Sequence, residues 1–354
     1  MMKIKIETLL KQLNHGLIER ENTLKIALLT VLTGENLVLV GPPGTGKSMI
    51  ARRLAESFLP ENGNSYFEYL LTKFSTPEEI FGPLSITELK ADRFKRNTKG
   101  YLPAVQIAFL DEIFKASSSI LNSLLTILNE RIYHNGSEPQ PVTMQALIAA
   151  SNELPVDQDE LSALYDRFLV RIFVGYVNDD NSHRLFDSTE SELALDKLTA
   201  ADLKQIQESR GLVSIPPEII DAVLTIWQKH KETFKEDSRE SLSDRRLKKI
   251  IKLLQMPAAT NGRNEVDLSD VFLLKDCLWN HPENAPKVRD LILSTLQTFS
   301  RPVPTNKTIA LPNIENVSPE YELDEDGFTL TQTQLRASPA QSANKQKTVV
   351  KGFK

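Results

Sequence analysis

The chain has one cysteine, Cys277, among 354 residues. A single thiol can neither close an internal disulfide nor build a multi-cysteine metal site. Cys277 lies in the apolar stretch 272–279, the setting of a small core residue. Histidine is also scarce: His15, His134, His183, His230 and His281 are scattered, with none at metal-ligand spacing. No apolar run approaches the roughly 20 residues that span a bilayer. The start, Met1-Met2-Lys3-Ile4-Lys5-Ile6-Glu7, has no secretory apolar region, so the expected compartment is the cytoplasm. A basic excess is missing too. The net charge of −5 argues against nucleic acid as a general partner, although it leaves room for a local basic patch. What remains, 40% hydrophobic and 25% charged residues, is the composition of a folded soluble protein long enough for two domains.

Hydrophobic periodicity divides the chain. Residues 5–34 read as helical, with Leu9, Leu10, Leu13 and Leu17, then Leu24, Ala27, Leu28 and Val31, at helical spacing. Gly34 would cap the second helix. Strand-like runs follow at 37–40, 66–71, 106–110, 146–150 and 169–174, with helical patterns between most of them. Alternation of this kind predicts an α/β core, a parallel sheet between helices, over residues 1–178. Residues 179–300 carry no convincing strand. Amphipathic helices are expected at 218–228 (Ile219, Ile220, Val223, Leu224, Trp227), 244–255 (Leu247, Ile250, Ile251, Leu254) and 268–278, so this part reads as a smaller, all-helical domain. The segment 301–354 is rich in Pro, Thr, Asn, Gln and Ser. It has an acidic cluster at 320–326 and a basic end at Lys345, Lys347, Lys351 and Lys354, the composition of a disordered tail.

The sharpest local signal is Gly41-Pro42-Pro43-Gly44-Thr45-Gly46-Lys47-Ser48, which fits the phosphate-binding loop G-x-x-x-x-G-K-[ST] at every fixed position. A chance match in a chain this long is about a 1% event at average residue usage, and the setting lowers it further. The apolar run 37–40 reads as a buried strand and 49–55 as a helix, the strand–loop–helix context the motif needs. The glycines let backbone N–H groups curl around a phosphate. The helix start adds unpaired donors and partial positive charge. Lys47 can reach the outer phosphates of a nucleotide and the Ser48 hydroxyl can ligate Mg²⁺.

A second motif narrows the choice. The strand Gln106-Ile107-Ala108-Phe109-Leu110 ends in Asp111-Glu112, the Walker B pattern. Beside a phosphate loop, Asp111 can hold Mg²⁺ through its water shell, and Glu112 can polarise a water for in-line attack. Alone, the pair would read equally well as two solvated acids. The next strand, 146–150, leads to Ser151-Asn152, where an amide can bond both the attacking water and the γ-phosphate; the plainer reading is a turn asparagine. Arg167, in Tyr165-Asp166-Arg167-Phe168, is either a salt-bridge partner of Asp166 or an arginine finger for a neighbouring subunit. Ser243-Asp244-Arg245-Arg246 opens an amphipathic helix that Ser243 can cap. Its two arginines otherwise read as a solvated face.

Taken in order, these motifs resemble those of an AAA+ P-loop ATPase with a helical lid. The finer resemblance is to the MoxR group and its RavA-like branch. It rests on Phe74-Ser75-Thr76-Pro77-Glu78-Glu79-Ile80-Phe81-Gly82-Pro83, Gly100-Tyr101-Leu102-Pro103, Asn129-Glu130-Arg131, Ser151-Asn152-Glu153-Leu154-Pro155, Ser243-Asp244-Arg245-Arg246 and Leu273-Leu274-Lys275-Asp276-Cys277-Leu278-Trp279. It covers about residues 5–300. The resemblance implies that residues 41–48 and Asp111 bind ATP and Mg²⁺, that Glu112 is the base, and that Asn152 is sensor 1. It further implies that Arg167 is the trans finger, with Arg131 as second candidate, and that Arg245 is the lid sensor. The segment 74–84 would form the helix-2 insert, facing the central opening of a hexameric ring. A von Willebrand A-domain protein is the implied partner. RavA proteins carry a large region beyond the lid that contacts their lysine decarboxylase partner. Here the polar segment 301–354 follows instead, so that partner does not carry over.

The implied activity is Mg-dependent ATP hydrolysis coupled to remodelling or maturing a protein client, which the sequence does not identify. Two alternatives compete. A nucleic-acid motor of the helicase branch would need a zinc ribbon, a helix-turn-helix or a basic domain, and none is readable. A slow nucleotide-switched scaffold would not need Glu112 and Asn152 together.

Overall fold

A computed structural model describes residues 2–59, 66–154, 159–186 and 195–300. The expected disordered tail at 301–354 lies outside the described residues. The strands are β1 (Leu37–Val40), β2 (Tyr66–Leu70), β3 (Ile107–Asp111), β4 (Ile132–Asn135), β5 (Glu138–Pro141), β6 (Ala146–Ser151) and β7 (Val170–Phe173). The helices are α1 (Met2–Asn14), α2 (Glu21–Thr33), α3 (Lys47–Glu56), α4 (Pro77–Phe81), α5 (Ile86–Lys90), α6 (Ser118–Glu130), α7 (Asp159–Tyr165), α8 (Ala200–Gly211), α9 (Pro217–Thr233), α10 (Asp244–Asn261), α11 (Leu268–Val271) and α12 (Ala285–Phe299).

Five strands pair in parallel in the order β2-β3-β6-β1-β7. All five come from the five apolar runs of the sequence. Every residue of β1 and β6 is buried, as expected of strands covered on both faces. Gly34 ends α2 in the left-handed conformation at φ 79°. Parallel pairing aligns the strand ends, and this registration positions the site. Val40 pairs with Ser151 and also with Phe173, while Leu110 pairs with Ala149. Gly41, Asp111, Asn152 and Val174 therefore leave the sheet together at one edge.

Beyond β7 the described residues are helical, apart from isolated bridges at Leu198, Ser214 and Glu265. Residues 1–300 form one compact unit. Helix α10 packs against α2 and α8, and α12 against α9. No helix among the described residues is long and apolar enough to cross a membrane.

Three expectations change. The helix expected at 244–255 continues through Pro257 to Asn261, where Gly262 caps it at φ 72°. Burial of Met256, Pro257 and Ala258 there outweighs the one backbone bond that proline forgoes. The helix expected at 268–278 is a short α11, with Asp267 and Asp270 forming its capping box, followed by a 3₁₀ turn at Phe272–Asp276. That turn buries Leu274, Cys277, Leu278 and Trp279 together. Burial also raises the pKa of the Cys277 thiol above its ordinary value, so the cysteine is an inert core residue.

The insert expected at 74–84 is also displaced. Its middle is the capped helix α4, with Ile80 and Phe81 buried and Phe81 stacked on Tyr133 at 5.3 Å. The excursion lies further on, between bridged Leu84 and Arg96. The β4–β5 hairpin, which hydrophobic periodicity missed, braces it. The Asn135 amide accepts from Arg96 N (2.6 Å) and donates to Arg96 O (3.0 Å).

Candidate nucleotide site

The phosphate loop begins where β1 runs out. Gly41 N bonds Ser151 O at 3.2 Å, and a Cβ at residue 41 would meet Val174 O at 2.2 Å, so only glycine fits between the strands. Gly46 turns left-handed at φ 84° with nothing within 4 Å of its missing Cβ, and α3 starts at once. No side chain caps α3, so its first-turn N–H groups have no side-chain acceptor. A loop with open glycine positions, leading into an uncapped helix start, suits a phosphate group.

Lys47 is almost fully buried beneath the loop. Its Nζ donates to Gly41 O (2.7 Å), Pro42 O (2.8 Å) and Asn152 Oδ1 (2.8 Å). Burial lowers its pKa, while the charges of Asp111 and Glu112 act the other way. Asp111 Oδ1 accepts from Glu112 N at 3.0 Å, and Oδ2 lies 3.5 Å from Ser48 Oγ. The hydroxyl, in the first turn of α3, faces the carboxylate at the end of β3. Two oxygen ligands make a poor cage, and among the described residues no cluster of three metal-ligating side chains exists. They do fit Mg²⁺, which keeps most of its coordination for water and substrate phosphate.

Glu112 is left-handed at φ 53°, a conformation costing a non-glycine residue roughly 1–2 kcal/mol. The turn brings its carboxylate back over the strand end. Asn152 Nδ2 donates to Oε1, and Lys115 Nζ sits 3.3 Å from Oε2. Asn152 thus links Lys47 to Glu112 by one oxygen and one nitrogen.

The arginines lie elsewhere. Arg167 precedes β7, and Leu169 N bonds Asn36 O just before β1, so Arg167 is at the opposite edge of the sheet from Lys47. The four-residue strand between the two edges is roughly 13 Å long. Arg167 Nη1 donates to Ala163 O at 3.1 Å and lies 3.7 Å from Asp166 Oδ2. Its pKa is lowered by burial first and by the neighbouring charge of Arg245 second, which puts both arginines on this edge. Arg245 itself is exposed, and its side chain makes no hydrogen bond or ion pair among the described residues.

Arg246, one residue on, is 3% exposed and bonds Asp166 Oδ1 (3.0 Å) and Asn280 Oδ1 (2.9 Å). Burial and the charge of Arg171 pull its pKa down to about 9. Arg131 donates to Gly34 O (2.7 Å), Gln145 O (3.4 Å) and Asn36 Oδ1 (3.5 Å) on its own chain, the pattern of a structural clasp.

Sequence reasoning missed Arg20. It is 8% exposed, with Nε on Thr45 O (3.3 Å) and Nη2 on Gly175 O (2.7 Å), and so ties the phosphate loop to the segment after β7. Lys115 was missed as well. Neither has a one-dimensional signal, since each acts through a partner distant in sequence or through a helical turn that periodicity does not reveal.

Comparison with known proteins gives the following matches. Residues 4–209 match the family described as the MoxR domain in the MoxR-vWA-beta-propeller ternary systems, and residues 218–292 match an AAA lid domain. An uncharacterized protein of Methanocaldococcus jannaschii is 40% identical over 314 residues, 88% of this chain and 80% of the relative. A second from the same organism is 42% identical over 288 residues, 80% of this chain and 74% of the relative. The crystal structure of a putative ATPase from Cytophaga hutchinsonii superposes with a TM-score of 0.66 at 17% identity, covering 84% of this chain and 94% of that one, which speaks to the fold alone.

Proposed function

The chain belongs to the MoxR group of AAA+ ATPases, and we propose that it hydrolyses ATP in a ring of subunits and uses the cycle to remodel or mature a client protein. One observation carries this reading. The groups that suit phosphate, metal and water (Lys47, Ser48, Asp111, Glu112, Asn152) meet at one edge of the sheet, and the arginines that suit γ-phosphate charge (Arg167, Arg245) meet at the other. A single subunit cannot close this site; a neighbour presenting its arginine edge can.

In this reading residues 1–178 are the core and 179–300 the lid. Lys47 and the backbone N–H groups of residues 44–48 grip the phosphates. Mg²⁺, held by Ser48 and Asp111, would neutralise charge on the phosphate oxygens. Glu112 takes the proton of the attacking water, and Asn152 orients that water. Lys47 Nζ is bonded to Asn152 Oδ1, and Asn152 Nδ2 to Glu112 Oε1. A phosphate that takes over Lys47 would free the Asn152 oxygen, coupling occupancy to the base. The family description favours a von Willebrand A-domain partner. It does not name RavA, and we propose no RavA-type partner. We place the protein in the cytoplasm.

Complementation tests this reading. Lys47→Ala and Arg167→Ala should each abolish turnover alone. Mixed, they should recover activity at interfaces pairing an intact loop with an intact arginine. A mixture that stays inactive despite demonstrated subunit exchange would overturn the trans assignment.

A further inference from the structure

The turn that carries Arg167 is held from the lid side. Asp166 Oδ1 and Oδ2 lie 2.9 and 3.0 Å from the Ser243 hydroxyl, which donates to the carboxylate from the N-cap of α10. Arg246, in the first turn of the same helix, donates to Asp166 Oδ1 at 3.0 Å. Asn280 Oδ1 accepts from Arg246 and also from Arg171 of β7, whose side chain is fully buried and bonds Trp279 O at 2.7 Å. The carboxylate is therefore gripped by two groups of α10, which Asn280 anchors to the sheet. Arg167 is held far less firmly. Its side chain makes one hydrogen bond, its Nε is buried without a partner, and its ion pair with the Asp166 carboxylate is long, at 3.7 Å.

Ser243, Arg246 and Arg167 thus compete for one carboxylate. While α10 is docked, its hydroxyl and guanidinium hold Asp166. If the lid withdraws by a hydrogen-bond length, Asp166 loses both and its nearest remaining cation is Arg167. Shortening the existing ion pair there would hold the part-buried Arg167 against its own chain and neutralise its charge.

We infer that Asp166 and Ser243 are positioning residues, through which the lid of each subunit sets whether its own Arg167 is offered to the neighbour's phosphates or sequestered. The inference rests on Arg167 acting in trans. It differs from that reading by requiring a directional effect of the lid.

Mixed rings separate the two. Rings of Lys47→Ala with Arg167→Ala chains have a defined polarity: the first chain donates the arginine and the second supplies the loop. Ser243→Ala on the donor chain should lower kcat roughly ten- to a hundredfold with little change in KM for ATP. The same change on the loop-supplying chain should alter kcat by about twofold or less. Ser243→Thr on the donor, which keeps the hydroxyl, should restore turnover. Equal losses in both arrangements would mean a merely structural role and overturn the inference, as would no loss on the donor. An inactive starting mixture would instead remove the trans reading, and this inference with it.

Discussion

At the edge of the sheet where β1, β3 and β6 end, polar groups cluster around an open loop, each already bonded to another group of the site. At the opposite edge, where β7 begins, polar groups are locked in buried pairs with the lid. Arg171 is fully buried, Arg246 nearly so, and Asp166 answers both the lid and Arg167. The first edge is built to exchange internal partners for a ligand. The second is built to hold geometry, with Arg245 left exposed. In the proposed ring the exchanging half of one site would meet the rigid half of the next, which suits a reaction that depends on positioning and charge rather than covalent chemistry.

The largest effect should fall on the exchanging edge. Glu112→Gln should lower turnover by about 10²–10⁴-fold while nucleotide binding persists, measured as steady-state hydrolysis beside equilibrium binding. Unchanged turnover would strip Glu112 of its proposed role as base and leave that edge a binding site only.

Next comes the adjacent arginine pair. Arg246→Ala should cost about 3–5 kcal/mol in chemical denaturation, because it removes two charge-assisted hydrogen bonds, to the Asp166 carboxylate and to Asn280 Oδ1, made by a side chain buried between lid and sheet. Arg245→Ala should change stability by less than about 0.5 kcal/mol yet still reduce turnover. Similar stability losses at the two positions would erase the distinction between locked and offered arginines.

A smaller effect should appear with pH. His230 is 1% exposed, and burial lowers its pKa from an ordinary 6.5 to about 4, partly opposed by its bond to the Leu278 backbone. Glu240, 4.0 Å away, already accepts from Asn280 N, His281 N and the Asn284 amide, so it does not need a charged imidazole. Between pH 6.5 and 4 the unfolded chain binds the proton that the folded chain refuses. Stability is therefore full above about pH 6.5 and falls as pH drops toward 4, by about 3 kcal/mol at most. His230→Gln should flatten this part of the profile. A profile that rises on acidification would mean the lid's buried ion network works in the opposite sense.

The smallest effect should be at Asn135. Replacing it with alanine removes two bonds to the Arg96 backbone and should cost about 1–3 kcal/mol, read as faster hydrogen exchange across 84–96 with basal turnover nearly intact.

Much of the exchanging edge was legible because its chemistry is written in contiguous runs. Residues 41–48 and the pair Asp111-Glu112 each declare a role within a few positions, and the apolar strands before them announce where they sit. The other edge was poorly legible. Arg245 and Arg246 look alike in the sequence, and so do Arg131 and Arg167 as candidates. Burial separates the first pair and hydrogen-bond partners separate the second, and both depend on what a side chain meets across the fold. Periodicity missed the β4–β5 hairpin because Glu138–Pro141 has no apolar alternation, and it overran at 268–278 because a 3₁₀ turn and an α-helix bury similar patterns over two turns.

The sequence by itself determined the five strands of the parallel sheet, the phosphate loop and the carboxylate pair, since these depend on local conformation and residue type. Tertiary structure alone decided which arginine is offered and which is locked, that Asn152 bridges Lys47 to Glu112, and that Arg20 binds the loop. Those are contacts between residues far apart in the chain, made when parallel strand pairing brings their ends to common edges.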